Sequence, residues 1–307
     1  MIKLVPLGIP ANIITIISNS FMYLALALAY LYGPSFKWNF VIIPILILLY
    51  LIGDHLDGMQ AKRTQTGSAL GEFCDHFLDT FNNGILLMII FLLFGITEPT
   101  LIALLITISY LAHASIFYEQ YKSGWLIFER FGSLEAVFVS LILILSGYFS
   151  PLYNFYVSEA LSGFSFMEVF MLISAVGAIS TYIKTLGRVK RITYAFWLFC
   201  LLIVAITFYG SRLLDTDFIF IILTLYSGVY IGNLMRGHLA DGIERSPDLF
   251  TPMILSVYFF IDKFNQSITQ YIIVLYLSIK IILIVYKTFK PLKKYWVWKN
   301  PSLVTKD

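Results

Sequence analysis

Ten apolar stretches, separated by short polar segments, follow one another along the chain. Each is rich in Leu, Ile, Phe and Tyr and predicts a helix across the apolar core of a bilayer, which is roughly 30 Å thick. The stretches are 11–32, 39–55, 72–95, 99–119, 134–149, 164–184, 193–210, 217–236, 249–262 and 268–286, of which the ninth has the weakest pattern. The pattern therefore predicts an all-α polytopic membrane protein with about ten transmembrane helices.

The composition supports a membrane protein and excludes an ordinary soluble domain. Of the 307 residues, 59% are hydrophobic and 13% are charged, and the mean hydropathy is +0.83. Soluble domains carry about 25% charged residues. Neither a long linker nor an internal repeat nor a large polar block interrupts the spans, so we expect a single transmembrane domain over residues 1–307.

The distribution of Lys and Arg predicts the orientation of the chain. If the N-terminus is cytoplasmic, 17 of the 21 Lys and Arg residues lie in cytoplasmic segments. Lys37, Arg212 and Lys263 lie on the opposite side, and Lys280 lies inside the last span. Because cytoplasmic loops are enriched in cations, the segment 54–79 is predicted to face the cytoplasm. The net charge of +3 includes no basic run that indicates nucleic-acid binding.

Neither the two cysteines nor the N-terminal apolar stretch indicates a further functional site. Cys74 and Cys200 fall inside predicted helices, which supports neither a disulfide framework nor a zinc site. The N-terminal apolar stretch is similar to a cleavable signal peptide, but Pro10, Asn12 and Thr15 interrupt it. We therefore interpret this stretch as the first membrane span.

The residues that carry chemistry are concentrated where the second and third spans approach the cytoplasm. From residue 54 to residue 79 the sequence reads D-H-L-D-G-M-Q-A-K-R-T-Q-T-G-S-A-L-G-E-F-C-D-H-F-L-D. Asp54 and Asp57 are three residues apart and Asp75 and Asp79 are four apart, so that each pair shares one face of a helix. Charged residues beside the bilayer core are functional by default.

Four neighbouring carboxylates repel one another unless cations lie between them. Mg²⁺ takes carboxylate oxygens together with phosphate and water, and two ions roughly 4 Å apart can clamp the attacking and leaving oxygens of a phosphoryl transfer. We therefore predict a divalent metal site, with Lys62 and Arg63 on a diphosphate. The enrichment of cations in cytoplasmic loops is an equally good explanation of Lys62 and Arg63.

The pattern D-x2-D-G-x2-A-[R/K]-x8-G-x3-D-x3-D resembles the motif of the CDP-alcohol phosphotransferases, also called the class-I CDP-alcohol phosphatidyltransferases. Its fixed positions are occupied by Asp54, Asp57, Gly58, Ala61, Gly71, Asp75 and Asp79. Lys62 stands where the family usually has Arg, and Lys lacks the bidentate fork of a guanidinium. We expect Arg63 to take over part of that phosphate contact.

Additional residues resemble the choline/ethanolamine phosphotransferase branch of this family. Within the motif these are Gln60, Arg63, Thr64, Glu72 and His76. Looser matches lie at Ser123, Ala136, Asn233, Arg236 and His238, and at the entry to the first span, at Pro10, Asn12 and Thr15. Ten spans also agree better with this branch than with the CDP-diacylglycerol-using enzymes, which commonly have fewer.

The resemblance implies a transferase of phospholipid biosynthesis. Such an enzyme transfers phosphoethanolamine or phosphocholine from the CDP-alcohol to the hydroxyl of diacylglycerol and releases CMP, without a covalent intermediate on the protein. It implies two Mg²⁺ or Mn²⁺ ions held by Asp54, Asp57, Asp75 and Asp79. The candidate substrate-binding residues are Asn12, Gly58, Ala61, Lys62, Arg63, Gly71, Glu72 and Glu135.

Two residues are candidates for the base that accepts the proton of the lipid hydroxyl. Asp79 is the candidate that the family implies. His76 is the second, since an imidazole titrates close to neutral pH, although it would equally serve to orient a metal-bound aspartate. Glu72 is expected near the cytidine or its ribose. Glu135 either contacts substrate or pairs with a basic neighbour such as Arg130.

Several alternatives stay open at the level of the sequence. An intramembrane prenyltransferase also uses two aspartate-rich motifs, but they lie far apart in sequence, whereas residues 54–79 hold both pairs. A cation transporter would need acids near mid-span. Within the family, the alternative is a CDP-diacylglycerol-dependent phosphatidyltransferase that acts on glycerol phosphate or inositol. Ceramide or an ether lipid as acceptor, choline or ethanolamine as headgroup, a homodimer and the identity of the membrane are also undecided.

Overall fold

The computed structural model describes residues 2–127, 133–260 and 266–293. Its α-helices are α1 (Ala11–Tyr32), α2 (Asn39–Thr64), α3 (Ala69–Phe94), α4 (Pro99–Ser123), α5 (Ser133–Ser146), α6 (Ser150–Val157), α7 (Phe166–Arg188), α8 (Tyr194–Leu213), α9 (Thr216–Arg236), α10 (Phe250–Phe260) and α11 (Gln266–Leu292). Two 3₁₀ turns, Ile2–Leu4 and Gly33–Ser35, and a π-helical turn, Gly237–Asp241, accompany them. The strands β1 (Glu159–Leu161) and β2 (Phe164–Ser165) form a small antiparallel hairpin.

Among the described residues, eight helices are long and apolar enough to cross a membrane. They are α1, α2, α3, α4, α7, α8, α9 and α11, and each coincides with one of the ten predicted spans. The prediction of an all-α polytopic membrane protein is therefore confirmed. The helices α3, α4 and α9 form the centre of the bundle, where most of their residues are buried.

Successive spans run in opposite directions and bring the predicted acids to one end of the bundle. Thr15, near the start of α1, contacts Asp57, near the end of α2. At the other end, the Asn39 side chain donates to the carbonyls of Leu28 and Gly33 at 3.2 and 2.8 Å. We call the end that holds the four aspartates the acidic end.

Contacts along the chain extend this alternation to the later helices. Gln120, at the end of α4, donates to Glu72, at the start of α3. Arg188, at the end of α7, pairs with the neighbouring Glu119. The ring of Phe289, near the end of α11, packs against Phe73 with the ring centroids 6.4 Å apart. The backbone N–H of Thr193, just before α8, donates to the Tyr118 hydroxyl near the end of α4 at 2.8 Å. The acidic end is thus shared by the ends of α2, α4, α7 and α11 and the starts of α1, α3 and α8.

The fifth predicted span is bent rather than straight. It was expected to cover residues 134–149, but α5 ends at Ser146, and α6 leaves it at an angle of 115°. A Cβ atom on Gly147 would lie 2.6 Å from the ring of Phe40, so only glycine allows α5 to end this close to α2. The 14 residues of α5 span about 21 Å.

The ninth predicted span, residues 249–262, is described as far as residue 260. Its described part is the helix α10, which has 11 residues and is about 16 Å long, and residues 261 and 262 lie outside the described residues. The preceding residues 242–249 are non-helical and lead from the acidic end into the bundle, where the Tyr226 hydroxyl donates to the carbonyl of Asp248 at 2.9 Å. Backbone polar groups within a membrane are tolerated where the protein supplies such partners.

Candidate active site

A short connection brings α2 and α3 together at the acidic end. Helix α2 continues without a break from its apolar part to Thr64 and ends at Gln65, whose φ of 55° is left-handed. Ser68 caps α3, because its Oγ accepts a hydrogen bond from the backbone N–H of Gly71 at 3.1 Å. Since only residues 65–68 separate the helices, the last turns of α2 lie beside the first turns of α3.

Three of the four predicted acids form one group. Asp54, Asp75 and Asp79 each offer a carboxylate oxygen, and these oxygens lie within 4.8 Å of one another. The Oδ1 atom of Asp75 is buried and has no hydrogen-bond partner among the described residues. A buried carboxylate oxygen without a donor is costly, and hard oxygen atoms at this spacing fit a divalent cation. These three side chains are therefore the residues that would hold a metal ion.

Asp57 is set apart from this group by a contact with α1. Its Oδ2 accepts a hydrogen bond from the Thr15 hydroxyl at 2.5 Å, and the residue is only 4% exposed. The carboxylate is still close enough to Asp54 and Asp75 to interact electrostatically with both. The predicted set of four ligands thus consists of three grouped acids and a fourth that α1 holds in place.

Asp79 is oriented by two donors that the sequence analysis did not identify. Its Oδ1 accepts from the Tyr50 hydroxyl at 2.7 Å and from the Asn82 amide at 3.2 Å. The same Asn82 amide nitrogen donates to Oδ1 of Asn19 at 2.6 Å, which joins α3 to α1. Asn82 follows Asp79 by three residues, a spacing that places both side chains on one face of a helix. This contact could therefore have been predicted from the sequence. Tyr50 lies in an apolar run and carried no such signal.

His76 lies between the acids and α4. Its Nδ1 is 3.9 Å from Oδ2 of Asp75, and its side chain is 23% exposed. The imidazole packs against Phe117 with the ring centroids 5.9 Å apart, and His113 packs against Phe117 at 5.0 Å. His76 is thus held beside a grouped acid by an aromatic contact.

The two motif glycines meet different surroundings. A Cβ atom on Gly58 would meet nothing within 4 Å, so this side of α2 faces open space. A Cβ atom on Gly71 would lie 3.0 Å from Oδ1 of Asn12, which means that Asn12 approaches the backbone of α3 closely. Ala61 and Lys62 follow Gly58 on α2, and Lys62 is exposed. This side of α2 is thus open at Gly58 and at the exposed Lys62, and half-buried at Ala61.

Arg63 is turned away from the acids. Its Nη1 donates to the backbone carbonyls of Ile2 at 2.7 Å and Val5 at 3.0 Å. Gln60, which is fully buried, likewise donates to the carbonyls that precede α1. The sequence motif predicted Arg63 on a phosphate, and no local pattern indicates its contact with Ile2, since residues 2 and 63 are far apart in sequence.

The remaining predicted acids differ in their surroundings. Glu72, in the first turn of α3, accepts a hydrogen bond from the Gln120 amide at 2.9 Å. Glu135 lies in the first turn of α5 and is exposed, and it does not belong to the acid group found among the described residues. The alternative partner considered for it, Arg130, lies outside the described residues.

A second set of ion pairs links the later helices at the acidic end. Arg188 donates two hydrogen bonds to the buried Glu119, from Nε at 2.5 Å and from Nη2 at 2.7 Å. Lys122 pairs with Glu244 at 2.6 Å. Arg236, one of the looser sequence matches, lies 3.0 Å from Asp241.

Comparison with known proteins identifies the region that carries the acids. Residues 9–180 match the family of CDP-alcohol phosphatidyltransferases. The chain is 36% identical over 83 residues to choline/ethanolaminephosphotransferase 2 of Arabidopsis thaliana, an alignment that covers 25% of this chain and 21% of the relative. It is 32% identical over 82 residues to cholinephosphotransferase 1 of Saccharomyces cerevisiae, with coverage of 25% and 21%.

A longer alignment joins the chain to a protein of Dictyostelium discoideum. It is 28% identical over 208 residues to the uncharacterized CDP-alcohol phosphatidyltransferase class-I family protein 2, which covers 63% of this chain and 49% of the relative. The matched parts therefore amount to about a fifth to a half of the length of these relatives.

Proposed function

The chain belongs to the CDP-alcohol phosphatidyltransferase family, whose members are transferases, and from this premise we propose that it transfers a phospho-alcohol from a CDP-alcohol to a lipid hydroxyl and releases CMP. The observation that carries the proposal is the group formed by Asp54, Asp75 and Asp79, with its buried unpartnered oxygen, at the end of a membrane bundle. A donor from the aqueous phase and an acceptor from the bilayer can both reach such a position.

The divalent ions of this family, Mg²⁺ or Mn²⁺, would neutralise the charge on the diphosphate and on the transferred group. The three grouped acids would hold one ion, and Asp57, next to them, would contribute to a second. Lys62 is the cation that supports a diphosphate, since it is exposed and follows Ala61 on the open side of α2. Gly58 leaves room for the donor, and Asn12 and Glu72 would contact its nucleotide.

The proton of the lipid hydroxyl passes to a carboxylate of the site in this proposal. Asp79 is the base that we favour, because Tyr50 and Asn82 fix its orientation and it lies one turn further along α3 into the bundle than Asp75. His76 is the alternative, since it lies beside Asp75 and is only partly exposed. We assign Glu135 to the edge of the site, where it would contact the headgroup or a bound water.

We propose phosphocholine or phosphoethanolamine as the transferred group and diacylglycerol as the acceptor. Similarity to a choline/ethanolaminephosphotransferase and a cholinephosphotransferase supports this choice, as do Gln60, Arg63 and Glu72 in the motif. The second candidate is the CDP-diacylglycerol-dependent reaction with a small alcohol, which the family name itself favours. We further propose that the acidic end faces the cytoplasm and that residues 1–307 form one domain.

The test is an assay with purified protein in detergent, Mg²⁺, diacylglycerol and radiolabelled CDP-choline or CDP-ethanolamine. We expect CMP release and a labelled lipid, both abolished by EDTA and by Asp75→Ala. Restoration by Mn²⁺ after EDTA would identify the metal requirement. Activity only with CDP-diacylglycerol and glycerol phosphate or inositol would contradict the proposal and support the second candidate.

A further inference from the structure

The segment before α1 is bound to the end of α2 by two side chains. Nε2 of Gln60 donates to the carbonyl of Pro6 at 3.0 Å and to that of Ile9 at 2.9 Å. Nη1 of Arg63 donates to the carbonyls of Ile2 and Val5. We call residues 2–9 the N-terminal strap. Four hydrogen bonds to main-chain atoms fix the path of the strap without specifying its side chains.

Helix geometry separates Arg63 from the site. At about 100° per residue, Lys62 lies about 80° around α2 from Asp54, whereas Arg63 lies about 180° from it. Lys62 is therefore nearer than Arg63 to the side of α2 that carries Asp54, and Arg63 lies on the side opposite Asp54. The hydrogen bonds of Arg63 to the strap agree with this direction.

The strap leads directly into the part of α1 that contacts the site. Asn12 lies in the first turns of α1, against Gly71 of α3. One turn later, the Thr15 hydroxyl donates to Asp57. Because Gln60 holds the carbonyl of Ile9, just before α1 begins at Ala11, it sets the position from which α1 enters the bundle.

We propose that Gln60 and Arg63 are positioning residues, which act on the reaction by holding the N-terminal strap so that α1 keeps Asn12 on Gly71 and Thr15 on Asp57. This inference rests on the proposed function and assigns Arg63 a role different from that of a phosphate ligand. Loss of either side chain frees the strap, lets the start of α1 shift, and disturbs the Asp57 carboxylate. Lys62 alone then remains as the cation of the motif that faces the donor.

A double-mutant cycle separates the two roles of Arg63. Deletion of residues 2–6 joins Met1 to Leu7, so that a carbonyl remains in the place of the Pro6 carbonyl that Gln60 binds, while none remains in the places of the Ile2 and Val5 carbonyls that Arg63 binds. If Arg63 acts only through the strap, Arg63→Met and the deletion have the same effect, and combining them adds nothing. Lys62→Met is the matched control, since it changes the neighbouring cation and should lower activity equally in both backgrounds.

Two readouts are needed, so that the test does not depend on turnover alone. The first is the split between kcat and KM for the CDP-alcohol. The second is the affinity for Mn²⁺, measured by electron paramagnetic resonance on the full chain and its variants. We expect Arg63→Met and Gln60→Leu each to lower kcat and Mn²⁺ affinity by about tenfold, as is typical when a partner of a metal ligand is lost. KM should change less than about twofold, and Arg63→Lys, which keeps a donor, should recover most of the loss.

Other outcomes would contradict either the inference or the proposed function. A further loss from Arg63→Met in the deletion background, or a rise in KM without a change in Mn²⁺ affinity, would make Arg63 a substrate ligand. Unchanged kcat and unchanged Mn²⁺ affinity would make the strap irrelevant to the site. If the wild-type chain binds Mn²⁺ but does not use a CDP-alcohol, the proposed function fails, while the Mn²⁺ measurements still decide whether the strap positions the acids.

Discussion

At the scale of single residues, the site depends on hydrogen bonds that hold its carboxylates in place. Tyr50 and Asn82 hold Asp79, and Thr15 holds Asp57. Asp75 differs, because its buried Oδ1 has no donor among the described residues. Asp57 and Asp79 are therefore oriented by the protein, whereas Asp75 has an oxygen atom that a cation would complete.

The identity of the base is tested by changing Asp79 and His76 separately. We expect Asp79→Asn to lower kcat by at least about 10²-fold, since a general base contributes this much, while His76→Ala retains more activity. Measuring Mn²⁺ binding by each variant shows whether the loss of activity is due to loss of a metal ligand. Tyr50→Phe removes one hydrogen bond to Asp79 and should cause a smaller decrease in kcat. Near-normal turnover of Asp79→Asn together with an inactive His76→Ala would assign the base to His76.

The two motif glycines are a matched pair for a second prediction. Gly71→Ala should lower both thermal stability and activity, because its Cβ would lie 3.0 Å from Oδ1 of Asn12. Gly58→Ala has free space in the substrate-free protein, and alanine favours a helix by up to about 1 kcal/mol. Its melting temperature should therefore be unchanged or higher, while KM for the CDP-alcohol rises. An unchanged KM for Gly58→Ala would show that the donor does not approach this side of α2.

At the scale of elements, the non-helical segment 242–249 is stabilised within the bundle by a buried acid. Asp248 is 8% exposed and accepts hydrogen bonds from the Tyr276 hydroxyl at 2.5 Å and from the backbone N–H of Thr251 at 3.0 Å. Lys280 lies 3.3 Å from the same carboxylate. These contacts fasten the start of α10 to the middle of α11. They also explain why Lys280, the one cation that the charge distribution placed inside a span, is tolerated there.

The ion pair of Asp248 and Lys280 gives a prediction about stability. Lys280→Met should destabilise the protein by about 1–3 kcal/mol, since it leaves a buried carboxylate with only its neutral donors. Lys287→Met is the control, because this exposed lysine lies further along the same helix. Thermal unfolding in detergent measures both variants. The double variant Asp248→Asn with Lys280→Met should recover part of the loss, and a loss equal to or larger than that of Lys280→Met alone would contradict the role of the pair.

At the scale of the whole molecule, the ends of the bundle differ in charge as the positive-inside rule predicts. Lys37, before α2, and Arg212, at the end of α8, lie at the end opposite the acids. Lys263, the third cation predicted for that side, lies outside the described residues. Lys190 follows α7 at the acidic end and is exposed. The distribution supports a cytoplasmic position of the acidic end.

Labelling of single cysteines in intact cells tests this orientation. In a host that inserts the protein into its plasma membrane, a maleimide that does not cross this membrane should modify Lys37→Cys in intact cells and Lys190→Cys only after permeabilisation. The unsubstituted chain measures the background from Cys74 and Cys200, which are partly buried. Labelling of Lys190→Cys without permeabilisation would place the acidic end outside the cytoplasm.

Local spacing explains why much of the fold was predictable. Apolar length predicted eight membrane helices directly, because a bilayer requires about 20 apolar residues per span. It did not predict the bend that ends the fifth span or the non-helical chain that precedes the ninth. There Gly147 allows a sharp bend against Phe40, and partners from other helices stabilise the non-helical chain before α10.

The sequence by itself determined the membrane class, the spans set by apolar length, the concentration of Asp54, Asp57, Asp75 and Asp79 in one segment, and the family that their spacing indicates. These properties follow from periodicity and from residues close together along one chain segment. Only the tertiary structure decided that Thr15 holds Asp57 and that Arg63 binds the strap. Each of these contacts joins residues more than 40 positions apart. Contacts of this kind depend on how helices pack, and no local pattern records them.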